Sequence, residues 1–232
     1  MKNLLLLIAV LFSLTSYSQK DEVFAKFKEY KINEDILNHG IKDANATYSF
    51  NLKTTTTTKA STGETTETEE CHFDPTQPVG SKWVLDTHNG KKASKKELKN
   101  FDKSHNTKDK EVDGQVDENS WKIVSDNENY FVVHFKYDEQ SLPKKYSYLA
   151  NCTATAYFNK ANHGLEKIEF VNDGDLHIKF FKVKKLNMVI KYKMVDGQSL
   201  MENMDAEMLV LLLGQTIPLH EESIYSKYKK VL

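Results

Sequence analysis

Asp109, Glu111, Asp113, Gly114, Val116 and Asp117 follow the order and spacing of a calcium-binding loop. Such a loop wraps a hard cation in carboxylate and carbonyl oxygens and closes on a bidentate glutamate. Ser120 stands where that glutamate belongs and no convincing helix pair flanks the stretch, so it reads as a solvated acidic loop and no metal is assigned. His134, His177 and His220 fall in strand-like runs, where a histidine on the polar face is usually a surface residue. His220-Glu221-Glu222 lines up acid–base side chains without a spacing that brings them together. The sequence has no Gly-x-Ser-x-Gly, His-Glu-x-x-His, glycine-rich phosphate loop or Cys-x-x-Cys. No catalytic residue and no cofactor is therefore expected.

Cys71 and Cys152 are the two cysteines. In an oxidising compartment an even count fits a disulfide, provided the two Cα atoms come within about 7 Å. Two buried thiols fit the sequence as well, and the choice stays open at this stage.

The compartment is suggested by the first residues. Lys2, the apolar run Leu4 to Phe12 and the small residues Ser13 to Ser18 have the three parts of a secretory signal peptide, with cleavage expected after Ser18. The apolar run is shorter than the roughly 20 residues a membrane helix needs. No cysteine follows the cleavage site to carry a lipid, the first being Cys71. An exported chain, periplasmic or secreted, without a transmembrane segment is expected. The remaining residues 19–232 suffice for one β-rich domain with a sizeable core. With 32 basic against 33 acidic residues and no basic face, the chain lacks the electrostatic footprint of a nucleic-acid binder.

Positioning falls mainly to strands. Val23, Phe24, Phe27 and Tyr30 share one face at helical spacing and predict an N-terminal helix, with a second short stretch around Ile36, Leu37 and Ile41. From Ala46 apolar and polar residues alternate. Tyr48, Phe50 and Leu52 lead into the threonine run 54–58 and return through 65–72 as a hairpin, after which Trp83 to Leu85 forms a short strand closed by Asn89-Gly90. Ser94 and Glu97 have capping-box spacing and predict a helix over about 94–103, followed by a polar, mobile excursion at about 104–120. Alternation resumes in Phe131 to Tyr137 and Cys152 to Phe158, and again in Ile168 to Phe170. In Leu176 to Val183 the phase slips by one, which predicts a bulge at Phe180-Phe181 or a turn near Lys184-Lys185. Leu186 to Met194 forms another strand ended by Asp196-Gly197. The stretch 199–213 fits either a helical face through Met201, Met204, Met208, Leu211 and Leu212 or a buried strand, and the hairpin signals around it favour the strand. The expected fold is mainly β: a strongly curved antiparallel sheet, or half-barrel, with both helices packed on it.

On such a sheet Phe131, Val133, Phe135 and Tyr137 share one face, as do Ile168 and Phe170, with Phe180 carrying the row on. These rows are expected to line the concave side and to meet an apolar ligand, if the sheet holds one.

Phe73-Asp-Pro-x-x-Pro-x-Gly-x-x-Trp83-x-Leu85, Asn89-Gly90-Lys91 leading to Lys96-Glu97-Leu98, and the terminal meander ending Tyr225-Ser-x-Tyr228 resemble exported bacterial proteins of the LolA/LolB-type lipoprotein-carrier superfamily. That resemblance spans about the C-terminal two thirds of the chain. It implies a half-barrel whose concave side is covered by helices and, in the carriers, holds acyl chains. It carries over no individual functional residue. The expected function is non-catalytic binding of a lipid or acyl chain between sheet and helices, the alternative being an envelope or secreted interaction protein with a filled core.

Overall fold

The computed structural model describes residues 19–38, 47–106, 114–178, 181–212 and 214–231. The signal peptide expected over 1–18 lies outside them, as do Phe180 and the metal-pattern residues Asp109, Glu111 and Asp113. Twelve strands form one antiparallel sheet: β1 (Tyr48–Ala60), β2 (Gly63–Phe73), β3 (Trp83–His88), β4 (Lys91–Lys92), β5 (Lys122–Asp126), β6 (Tyr130–Phe135), β7 (Cys152–Asn159), β8 (Gly164–Asn172), β9 (Leu176–Ile178), β10 (Phe181–Val195), β11 (Gln198–Leu212) and β12 (Gln215–Lys230). Their spatial order is β4-β3-β2-β1-β12-β11-β10-β8-β7-β6-β5, with β9 paired to the start of β10. The sheet does not close, and β4 and β5 are its two ends. An open sheet of this many strands curls through its accumulated twist.

Turn chemistry sets the hairpins. Asn89 and Gly90 take φ 50° and 70°, and Asp196 and Gly197 take 51° and 79°. This is the doubly left-handed turn that matches strand twist. Of the stretch 199–213, residues 199–212 resolve as strand and 213 lies outside the described residues, since β11 pairs along its length with β10 on one side and β12 on the other. Ile178 lies opposite Phe181 and Leu176 opposite Val183, so the two halves of the apparent strand are antiparallel partners, and Phe180 of the expected bulge lies outside the described residues. A bulge does occur a little further on, between Val183 and Lys185.

Among the described residues, the helices Gln19–Glu29 and Lys95–His105 and the 3-10 helix Lys144–Asn151 cover a single face of the sheet. Helix α1 (Gln19–Glu29) buries Val23 and Phe27. Phe27 meets Trp121, Phe131 and Phe158 edge-on at 6.0, 5.8 and 5.0 Å, an arrangement that adds about 0.5–1.5 kcal/mol per pair to simple burial. The end of α1 is tied to the β5–β6 turn, where the Tyr30 hydroxyl donates to Asp126 at 2.8 Å and Lys26 and Lys160 both pair with the same carboxylate. Helix α2 (Lys95–His105) begins with the full expected capping box, in which Ser94 Oγ accepts from the Glu97 amide and Glu97 accepts from the Ser94 amide. It lays Phe101 onto the cluster of Phe50, Leu52, Cys71, Phe73 and Leu85. The 3-10 helix Lys144–Asn151 leads into β7 and packs Tyr148 and Leu149 on the main core.

Part of the expected excursion at 104–120 lies outside the described residues. Within them, Ser104 to Asn106 end α2, and 114–120 returns to the sheet through buried Val116, which bridges Tyr137 and donates its amide to Asn38 at 3.1 Å.

Cys71 and Cys152 are free thiols, so the bridge that the sequence left open is not made. Cys71 belongs to the cluster under α2 and Cys152 to the one under α1. The open sheet sets them in strands on opposite sides of β10–β12, and burial drives both thiols up to about 12.

Candidate ligand-binding face

The inner face can be followed across the sheet by its register. One row runs Val133, Ala156, Ile168, Ile190, Met204, Ser223 and Thr54. The next runs Phe135, Ala154, Phe170, Met188, Ala206, Glu221 and Thr56. Because Tyr225 is two residues from Ser223 and lies opposite Leu52, the α1-covered and α2-covered clusters share this face.

At the α1 end lie the rows of β6 and β8. Phe131, Val133 and Phe135 are fully buried, and Ile168 and Phe170 nearly so. Tyr137 is only partly buried, stacks on Phe170 at 6.3 Å and donates its hydroxyl to the Leu37 carbonyl at 3.2 Å. These six side chains pack in one cluster with Val23 and Phe27 of α1, while Phe180 is outside the described residues.

The middle of the face differs. Tyr192 of β10, Met201, Met204 and Met208 of β11, and Tyr225 of β12 are half-buried and apolar, and they lie between the α1 end and the α2 end. Bulges re-aim the strands here: one between Lys191 and Tyr192 brings Tyr192 opposite Met201. The Tyr228 hydroxyl donates to the Met201 carbonyl at 2.7 Å and holds this end of the strip. Burial raises the phenol pKa of Tyr192 and of Tyr225. Methionine side chains are flexible and polarisable, and recur on surfaces that accept varied apolar shapes.

On its β1 side the strip turns polar. Thr54 and Ser223 share a hydrogen bond of 2.9 Å, with Ser223 buried. Glu221, one row over, has its carboxyl pKa raised by burial and then by the charge of Glu69. Burial raises the phenol of Tyr148 on the 3-10 helix, with smaller pushes from Tyr146, Cys152 and Glu221. Sequence reading missed both the methionine strip and Glu221. Only the every-second-residue spacing of Met204, Ala206 and Met208 hinted at the strip.

Histidine–carboxylate pairs form, but across exposed strands: His72 Nδ1 with Asp86 at 2.9 Å and His220 Nε2 with Asp205 at 2.9 Å. Cross-strand pairs of this kind position no substrate by themselves. Among the described residues no group of three His, Cys, Asp or Glu side chains is arranged to hold a metal ion. Two open clefts border the strip residues Met208 and Tyr192: one of about 420 Å³ is lined by Thr57, Lys59, Glu207, Met208, Pro218 and His220, and one of about 550 Å³ by Asn162, Glu166, Lys191, Tyr192, Lys193 and Glu202. Among the described residues no helix is long and apolar enough to cross a membrane.

No protein-family model and no curated protein matches the chain. Solved structures similar to it include the following three. A DUF1329 family protein from Desulfovibrio piger shares 9% identity over 87% of this chain and 91% of that one, with a TM-score of 0.36. An outer membrane lipoprotein-sorting protein domain from Vibrio parahaemolyticus shares 10% identity over 90% of this chain and 91% of that one, with a TM-score of 0.33. A LolA superfamily protein from Nitrosomonas europaea shares 13% identity over 79% of this chain and 86% of that one, with a TM-score of 0.34.

Proposed function

We propose that this chain is an exported, non-catalytic binding protein, a single domain over 19–232, that shelters a lipid or acyl chain against the inner face of its sheet. The observation that carries the reading is the half-buried strip of Tyr192, Met201, Met204, Met208 and Tyr225 between the two helix-covered ends. Contiguous apolar surface left open to water marks a binding site more often than a structural accident. Export rests on the leader at 1–18. In this reading Phe131, Val133, Phe135, Ile168 and Phe170 form the packed wall at one end of the strip, Tyr137 is their contact with ligand, and Phe180 extends the row. Neither a cofactor nor a nucleic acid enters the scheme.

Native-extracted protein analysed by mass spectrometry should release a lipid, and a fluorescent fatty acid should bind saturably. Met204→Glu should abolish probe binding while the fold persists. A wild-type chain that releases no lipid and binds no probe would overturn the carrier reading. It would favour an interaction protein with a filled core, to which the tight packing of Phe27 on Phe131 and Phe158 already lends support.

A further inference from the structure

The tip of the β11–β12 hairpin is apolar on both faces along β11, while β12 returns with Gln215 opposite Leu212 and Thr216 opposite Leu211. Leu209 and Leu211 point to one face, Val210 and Leu212 to the other, and Ile217 lies opposite Val210 on the returning strand. Phe181 begins the neighbouring strand beside them, and it and Leu212 are 41% and 39% exposed. A strand apolar on both faces belongs where both faces are covered. Only Val210 packs onto the main core, opposite buried Val183.

We infer that this tip is a membrane-contact site that inserts shallowly into an anionic lipid surface. A groove on a protein partner would cover one face of this end of the sheet, whereas the apolar boundary of a bilayer surrounds both. The root of the tip supplies the matching charge. Lys182 lies opposite Leu211 and, with Lys184, pairs with the single carboxylate of Asp175 at 2.7 and 2.8 Å, while Lys185 lies opposite Leu209 on the cleft that Glu207 also lines. Glu207 lies two residues back along β11 and Lys59 is paired with Glu64, so the excess at the root is positive. Basic side chains at this height meet lipid phosphates while the apolar end enters the acyl boundary. The inner side of β11 then continues from Leu212 through Val210, Met208, Ala206 and Met204, an apolar track from the tip into the strip.

The experiment is co-sedimentation of the chain beginning at Gln19 with phosphatidylcholine vesicles, with and without phosphatidylglycerol. Wild type should partition onto the anionic vesicles. Leu211→Glu and Leu212→Glu should each lower the partition coefficient about tenfold or more, since each places a charge where apolar surface would be buried. Lys185→Glu should weaken binding to anionic vesicles more than to neutral ones. Unchanged melting curves show that the variants fold, and Phe181→Ser replaces either glutamate variant that does not. No partition by wild type, or equal partition by wild type and tip variants, would overturn the inference. A concentration-dependent dimer abolished by the tip substitutions without any vesicle binding would overturn it in favour of a second copy. Soluble-probe binding separates this site from the proposed ligand strip: tip variants should lose vesicles and keep the probe.

Discussion

Phe27 and Phe158 meet edge to face with ring centroids 5.0 Å apart, which places the pivot of α1 directly on β7. Both rings are fully buried. Phe27→Ala should cost about 3–5 kcal/mol in chemical denaturation, the usual penalty for emptying a tightly packed aromatic site. Phe135→Ala should cost the same without changing probe binding, because its ring lies in the packed wall and not in the open strip. A cost below about 1.5 kcal/mol for both would mean that α1 is loosely held.

The attachment of α1 should fail in acid. Burial pushes Asp126 up, but hydrogen bonds from Lys160, Tyr30 and Lys26 outweigh it and hold the carboxyl at about 2. A carboxyl whose folded pKa is depressed contributes its stability above the unfolded value, and that contribution fades as pH falls toward the folded one. Wild type should therefore lose stability between about pH 4 and pH 2. Asp126→Asn should be less stable at neutral pH and flatter across this window in thermal melts.

Glu221 should behave in the opposite sense. Its folded pKa is raised by burial and by Glu69, so the ionised form is the destabilising one. The cost is fully present above the folded pKa and is relieved as pH falls toward the unfolded value near about 4.3. Glu221→Gln should be more stable than wild type at pH 7, by about 1 kcal/mol or less, and equal to it below about pH 4. A glutamine variant that melts lower at neutral pH would mean that the carboxylate has a stabilising partner.

Both thiols should be silent in the native protein. Burial lifts Cys71 and Cys152 to about 12, leaving almost no thiolate at neutral pH. Iodoacetamide at pH 8 should label neither cysteine in the folded chain and both in denaturant, without prior reduction. A mass two hydrogens short, with labelling that requires reductant, would contradict the free-thiol arrangement.

What the sequence made legible was local. Ser94 and Glu97 announce α2 because a capping box is satisfied within one turn, and Asn89-Gly90 and Asp196-Gly197 announce hairpins because their φ angles need residues that tolerate the left-handed region. The stretch 199–213 was ambiguous because Met201, Met204 and Met208 also fit helical spacing. Pairing with β10 and β12 decides the matter, and a propensity window contains neither neighbour. The rows on β6 and β8 were found as rows, yet the alternation that places a residue inside does not say what covers it. Tyr192 and Met201 could not be matched at all, since the Lys191/Tyr192 bulge changes which residues face each other.

The place of β12 between β1 and β11 has a consequence for how the chain is made. Tyr48 pairs with Lys230, so the first hairpin emerges from the ribosome long before its neighbour exists. Until then β1 presents an unpaired edge, and the β1–β4 half has no route to the β5–β11 half except through a strand still to come. Joining them requires loop closure over most of the sequence, which makes assembly slow and leaves an interval that a holding chaperone would usefully cover. A chain stopped before Gln215 should give two half-sheets that do not associate, seen as separate unfolding transitions where the whole chain gives one.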